Sequence, residues 1–240
     1  MLKKTALITG ASRGIGRAIA KSLASEGYDL LLVCQNNEDM LYELGDELHR
    51  TYNTNYECFI GDVSDISFVA MIFGNISHLD VLVNNAGISY FGLLHDMTPE
   101  EWHKVMSCNL DSVFYFCKEA ITLMLQKQAG HIINISSVWG DRGASLEACY
   151  SASKGAVNAL TKSLAKELAP SHISVNAISC GLIDTDMNKH LASEDIDSLI
   201  EEIPADRMGQ PDEIGQMVIS ILHAPEYMTG QIITVDGGWT

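Results

Sequence analysis

The sequence predicts an α/β fold: a doubly wound parallel sheet of about seven strands with helices on both faces. Three observations lead there. Short apolar runs alternate with helical patterns along all 240 residues. The runs are too short for core helices and lack clean alternation, so they read as strands buried on both faces. Strand–helix alternation of this kind makes right-handed crossovers into one sheet.

The strand runs are Ala6–Ile8, Leu30–Val33, Cys58–Ile60, Val81–Val83, Ile132–Ile135, Ser174–Ile178 and Ile232–Val235. Helical patterns cover Ile15–Ser25, Asp39–Tyr52, Pro99–Gln126, Ser151–Leu168 and Pro211–Leu222. Thr98 before Pro99, with Glu101 at capping-box spacing, marks a helix start. No boundary, repeat or linker interrupts the pattern, so residues 1–240 are expected to form one domain. Asp184–Glu202 is polar, acidic and short of an apolar stripe, and residues 184–207 are expected to be a mobile flap over the site. Ligands of such sheets bind outside the carboxyl ends of the strands, so the polar and glycine-rich residues after each run are the site candidates.

Composition excludes several functions. The formal net charge is -16, and so acidic a surface disfavours nucleic acid and anionic membranes. The six cysteines form no C-x-x-C pair, and with the eight histidines they show no metal-ligand spacing, so no metal is expected. Buried free thiols suit a reducing compartment. Lys3 and Lys4 precede only the short run Ala6–Ile8 and then Gly10, so no signal peptide is expected. With no run long enough to cross a bilayer, the expected location is the cytoplasm.

The first strand runs into Gly10-Ala11-Ser12-Arg13-Gly14-Ile15-Gly16 and then a helix. Glycines at a first strand-to-helix junction allow close approach of a pyrophosphate, held by helix-start amides, which predicts a Rossmann-type dinucleotide site. The second strand ends in Cys34-Gln35-Asn36-Asn37, with no acid to bind a ribose 2′-hydroxyl before Glu38. Arg13 can pair with a 2′-phosphate, so NADP(H) is favoured. The nearby Glu38 and Asp39 keep NAD(H) as the alternative. Tyr150 and Lys154 stand four apart, on one face of a helix. An ammonium there would lower the phenol's pKa and fit it to exchange a proton with a carbonyl oxygen. Ser137 follows the fifth run and can hydrogen-bond the same oxygen.

These motifs, with Asn84-Asn85-Ala86-Gly87, Asn109 and the ending Val235-Asp236-Gly237-Gly238, resemble the short-chain dehydrogenase/reductase family over essentially the whole chain. The resemblance implies Tyr150 as general acid/base and Lys154 as its tuner and the holder of the nicotinamide ribose. Ser137 would polarise the substrate oxygen, and Asn109 would position a water in a proton relay. It further implies Asp62 and Val63 beside the adenine and Asn84, Ala86 and Gly87 along the ribose path. Gly181, Ile183 and Thr185 would lie near the carboxamide. Within the family the chain is most similar to bacterial 3-oxoacyl-[acyl-carrier-protein] reductases, which use NADPH in fatty-acid synthesis. Such proteins are commonly homotetramers, packed through the Pro99–Gln126 and Ser151–Leu168 helices and the last strand.

Three departures qualify the likeness. Gln128 and Ser171, beside Lys127 and His172, stand where those reductases carry carrier-docking basic residues, so docking of acyl carrier protein stays open. Cys180-Gly181 replaces Pro-Gly, which predicts a looser nicotinamide side. Ser64–His78 is short, so one crossover helix is abbreviated. Trp139, two residues past Ser137, is expected to narrow or re-aim a substrate pocket shared with Leu146, Leu182 and Met187, and Tyr90 and Phe91 are further candidates. The alternatives are an NAD(P)-dependent dehydrogenase of a hydroxysteroid, polyol or other secondary alcohol, and a non-catalytic nucleotide-binding protein. Tyr150 and Lys154 argue against the latter.

Overall fold

The computed structural model describes residues 3–189 and 192–240. Seven strands form one parallel sheet: β1 (Thr5–Thr9), β2 (Asp29–Cys34), β3 (Tyr56–Ile60), β4 (Val81–Asn84), β5 (Gly130–Ser137), β6 (Ile173–Cys180) and β7 (Ile232–Val235). They lie in the order β3-β2-β1-β4-β5-β6-β7. The order reverses beside β1, the switch point where such sheets open a crevice.

Period-two alternation explains the two-sided packing. In β1, Ala6 and Ile8 face one layer and Leu7 the other. The first layer holds α1 (Gly14–Ser25), α2 (Glu38–Tyr52) and α9 (Pro211–Leu222), through residues such as Ile19, Leu44 and Val218. The second holds α3 (Ile66–Asn75), α5 (Ser112–Lys127) and α7 (Ala148–Leu168), through Ile72, Phe116 and Val157. Burial on both faces holds for the central strands only. In the edge strands β3 and β7 most residues are partly exposed.

The sequence places the helices with local differences. Thr98 and Glu101 form a capping box at the start of α4 (Pro99–Met106). The long helix expected over Pro99–Gln126 is broken by a π-helical turn, Ser107–Asp111, before α5. The short segment before β4 folds as the ten-residue α3. Asp184–Glu202 is not patternless: a 3-10 turn (Asp186–Asn188) and α8 (Ser193–Glu201) lie in it. His190 and Leu191, within the expected flap, lie outside the described residues. A bridge between Ile183 and Gly209 closes this excursion at its base. β6 stays paired to its last residue, with Cys180 opposite Ser137 on one side and Val235 on the other. Among the described residues no helix is long and apolar enough to cross a membrane, and no His/Cys/Asp/Glu cluster could hold a metal.

Candidate active site

The carboxyl ends of β1, β2, β4, β5 and β6 open onto a cavity of about 810 Å³. At β1 the chain turns through Gly10 and enters α1, whose cap residue Arg13 makes no side-chain capping bond. Gly14 and Ile15 therefore present uncapped helix-start amides on the cavity wall. Gly16 is forced by close approach, since a Cβ there would collide with the Gly10 carbonyl oxygen. Asn85 Nδ2 fixes the loop by donating to the Thr9 and Gly10 carbonyls at 2.8 and 3.1 Å. This cradle, with no acid in the first turn of α1, fits a diphosphate.

The second group stands at the end of β5. Tyr150 and Lys154 occupy the first turns of α7, and both are buried. Ser137 is hydrogen-bonded to the Tyr150 side chain and accepts from the Trp139 amide at 3.2 Å. The Trp139 amide leaves the Ser137 hydroxyl proton for Tyr150 or for a bound oxygen. Lys154 Nζ donates to the Ile135 carbonyl at 2.8 Å and lies 5.7 Å from the centre of the Tyr150 ring. The expected lowering of the phenol by this ammonium is not what the geometry gives. Burial pushes the Tyr150 phenol well above its usual value, with the Ser137 hydrogen bond a partial offset. Burial likewise pushes the Lys154 amine down. Desolvation is the largest cause of both shifts.

Asn109 sits in the π turn, fully buried. Its Oδ1 accepts from Ile88 N at 2.8 Å, and its Nδ2 donates to Ile88 O and Ser153 Oγ. Gly87 lies between Asn109 and Lys154: a Cβ there would stand 3.3 Å from Asn109 Oδ1 and 3.4 Å from Lys154 Nζ.

The structure brings most of the sequence candidates to one wall: Gly10, Ser12, Arg13, Gly14, Ile15, Asn36, Val63, Ala86, Gly87, Ser137, Trp139, Tyr150, Lys154, Gly181, Leu182, Ile183, Thr185 and Met187. Phe91 joins them and Tyr90 does not. Others lie elsewhere. Asn84 turns into the interior and donates to Asn134 Oδ1 at 2.8 Å, so its expected place on the ribose path is corrected to a buried bracket between β4 and β5. Asp62 caps its own turn through Ser64 and accepts from Gln35. Leu146 is off the wall, with its carbonyl on the Gly92 amide. Gly16 and Asn109 act behind the wall. Arg13 Nη1 pairs with Asp186 Oδ2 at 2.9 Å, across from the glycine loop. Sequence reasoning missed Asn85, Cys34, Cys108, Glu147, Leu199 and Trp239 as wall residues. Asn85 stood inside the quoted Asn84–Gly87 motif without a role of its own, whereas Trp239 carried no local signal.

Comparison with known proteins agrees with this geometry. A short chain dehydrogenase family model matches residues 4–196. The chain is 37% identical to the uncharacterized oxidoreductase YmfI of Bacillus subtilis, over 99% of each chain. It is 39% identical to the 3-oxoacyl-[acyl-carrier-protein] reductase FabG of Vibrio cholerae, over 98% of this chain and 96% of the other. The crystal structure of YwfH, an NADPH dependent reductase involved in bacilysin biosynthesis, superposes with a TM-score of 0.93 at 27% identity, covering 100% of this chain and 99% of that one. With its glycine cradle, its Tyr–Lys helix and these relatives, the chain belongs to the short-chain dehydrogenase/reductase family of NAD(P)-dependent oxidoreductases.

Proposed function

We propose that the protein is an NADPH-dependent reductase of a carbonyl substrate, with a 3-oxoacyl thioester as the best-supported class. One observation carries this reading: the Ser137–Tyr150 hydroxyl pair shares a cavity with the glycine cradle, backed by Lys154. Bound NADPH would supply the hydride. Tyr150 gives its proton to the carbonyl oxygen, and Ser137 donates a hydrogen bond to it. Burial keeps the Tyr150 proton in place, the state a donor in reduction requires. Lys154, whose Nζ lies close to Gly87, would hold the ribose and feed the proton path. Asn109 braces that path by fixing Ile88 and Ser153.

For the coenzyme, Arg13 on the wall supports a 2′-phosphate partner, which would take the guanidinium over from Asp186. Glu38 and Asp39 lie in the first turn of α2, off the cavity wall, which weakens the NAD(H) alternative. The FabG likeness supports the thioester. Docking of an acidic carrier gains nothing at Lys127, whose ammonium is held by Asp80 at 2.6 Å. A homotetramer through α4, α5 and α7 agrees with Phe114 and Leu125 standing exposed on α5.

The test is NADPH oxidation by the purified protein with acetoacetyl-N-acetylcysteamine, beside NADH and beside Tyr150→Phe. The expected result is a rate that falls about 100-fold or more in the variant, with NADPH preferred. Equal rates in wild type and Tyr150→Phe would remove the phenol from the reaction, and a strong NADH preference would remove Arg13 from the coenzyme argument.

A further inference from the structure

The cavity is walled in part by two indoles from distant parts of the chain. Trp139 begins α6 (Trp139–Arg142), directly after β5, and Trp239 follows β7. Their rings meet edge to face, 4.9 Å between centroids and 66° between planes, and both line the cavity. That is the favoured arrangement of two quadrupoles.

Both rings are anchored. The Trp139 amide is tied to Ser137 Oγ, so its ring is rooted two residues from the proposed oxygen-binding hydroxyl. Gly140 presses α6 onto α7, where a Cβ would reach the Lys154 carbonyl carbon at 2.9 Å and Gly155 N at 3.0 Å. The close packing keeps the start of α6 from shifting. The turn carrying Trp239 is held by Asp236, which accepts from Gly238 N, Thr240 N and Thr240 Oγ1. Trp239 Nε1 donates to Glu202 Oε2 at 3.2 Å, at the end of α8. The pair thus bolts together the loop after β5, the turn after β7 and the excursion after β6.

Phe91, Leu182, Met187 and Leu199 add apolar surface to the same cavity. A fixed aromatic wall favours a flat, compact body that can lie against it and obstructs a long flexible chain.

From this we infer that Trp139 and Trp239 together determine specificity, and that the site takes a ketone bearing a short chain or a ring, not a long acyl chain. The inference rests on the carbonyl reductase reading above.

It is tested with three N-acetylcysteamine thioesters that share a head group: acetoacetyl, benzoylacetyl and 3-oxodecanoyl. The expected wild-type kcat/KM is about tenfold or more higher for the first two than for the third. In Trp139→Ala and in Trp239→Ala the ratio of decanoyl to acetoacetyl kcat/KM rises about tenfold, whereas Trp239→Phe, which keeps a ring, holds the wild-type ratio. The wild-type ranking needs no variant, and circular dichroism verifies that each variant compared is folded. A wild type that reduces 3-oxodecanoyl as well as the others overturns the inference, and so does an unmoved ratio in a folded alanine variant. Either result leaves the reductase reading standing. NADPH oxidation with none of the three overturns both.

Discussion

At the scale of single residues, the catalytic candidates owe their legibility to local chemistry. Tyr150 and Lys154 are one helical turn apart, so their shared face follows from spacing alone. Ser137 follows from its place at a strand's carboxyl end. Their electrostatics were not legible, because burial is a tertiary property: it raises the phenol and lowers the amine whatever their separation in sequence. Neighbouring asparagines divided for the same reason. Asn84 is the last residue of β4 and points into the sheet's interior, while Asn85 holds the glycine loop. Gly87 offers a sharp test. An added methyl would press on Asn109 Oδ1 and Lys154 Nζ at 3.3 and 3.4 Å, and each must shift by a few tenths of an ångström. Gly87→Ala is expected to lower kcat about tenfold by misplacing the lysine, with a melting temperature close to wild type. Steady-state kinetics beside thermal melting would check both halves.

At the scale of elements, starts of helices were easier to read than interruptions. The Thr98–Glu101 capping box is written in four consecutive residues. The π turn at Ser107–Asp111 is not, since one extra residue in a turn leaves the apolar spacing nearly intact. Yet that turn carries Asn109. Helix α8 escaped notice because its first turn holds Glu194 and Asp195, which read as solvent-facing loop but also suit a helix start. Helix α9 makes a measurable case. Its box joins Gln210 and Glu213, and Glu213 also pairs with Arg207 at 2.7 Å. The Arg207 hydrogen bond, then the Gln210 amide, hold the Glu213 carboxyl down at about 2. A depressed folded-state value means stabilisation that is present above the unfolded value near 4.5 and lost as pH falls toward 2. Because the pair is well exposed, solvent screens it, and Glu213→Gln is expected to cost about 0.5–1 kcal/mol at pH 7. The difference between the two proteins should shrink steadily in urea titrations taken from about pH 5 toward pH 2. A constant difference across that range would mean the carboxylate is not its source.

At the scale of the whole molecule, the parallel sheet was legible because its signal is repeated strand by strand. The edges were less so: β3 and β7 have the same apolar composition as inner strands but only one neighbour each. The contact between Trp139 and Trp239 is likewise a product of topology, since the end of β6 separates β5 from β7. Net charge belongs to this scale too. A molecule at -16 repels itself, and the repulsion is screened within a Debye length. The melting temperature is therefore expected to rise by about 2–4 °C between about 10 and 200 mM sodium chloride. A flat or falling curve in differential scanning calorimetry would show that the carboxylates are already balanced by local pairing.

The position of β1 has a kinetic consequence. It lies at the heart of the sheet, flanked by β2 on one side and by β4, distant in sequence, on the other. No tight hairpin closes any pair of these strands, because every neighbour is parallel and waits for a crossover. Acquisition of native pairing is then governed by encounters between remote segments, and times in the millisecond-to-second range follow from such a high contact order. During that interval β1 exposes a bare flank that another copy's strand can occupy, so dilution and low temperature should raise the yield of renatured protein.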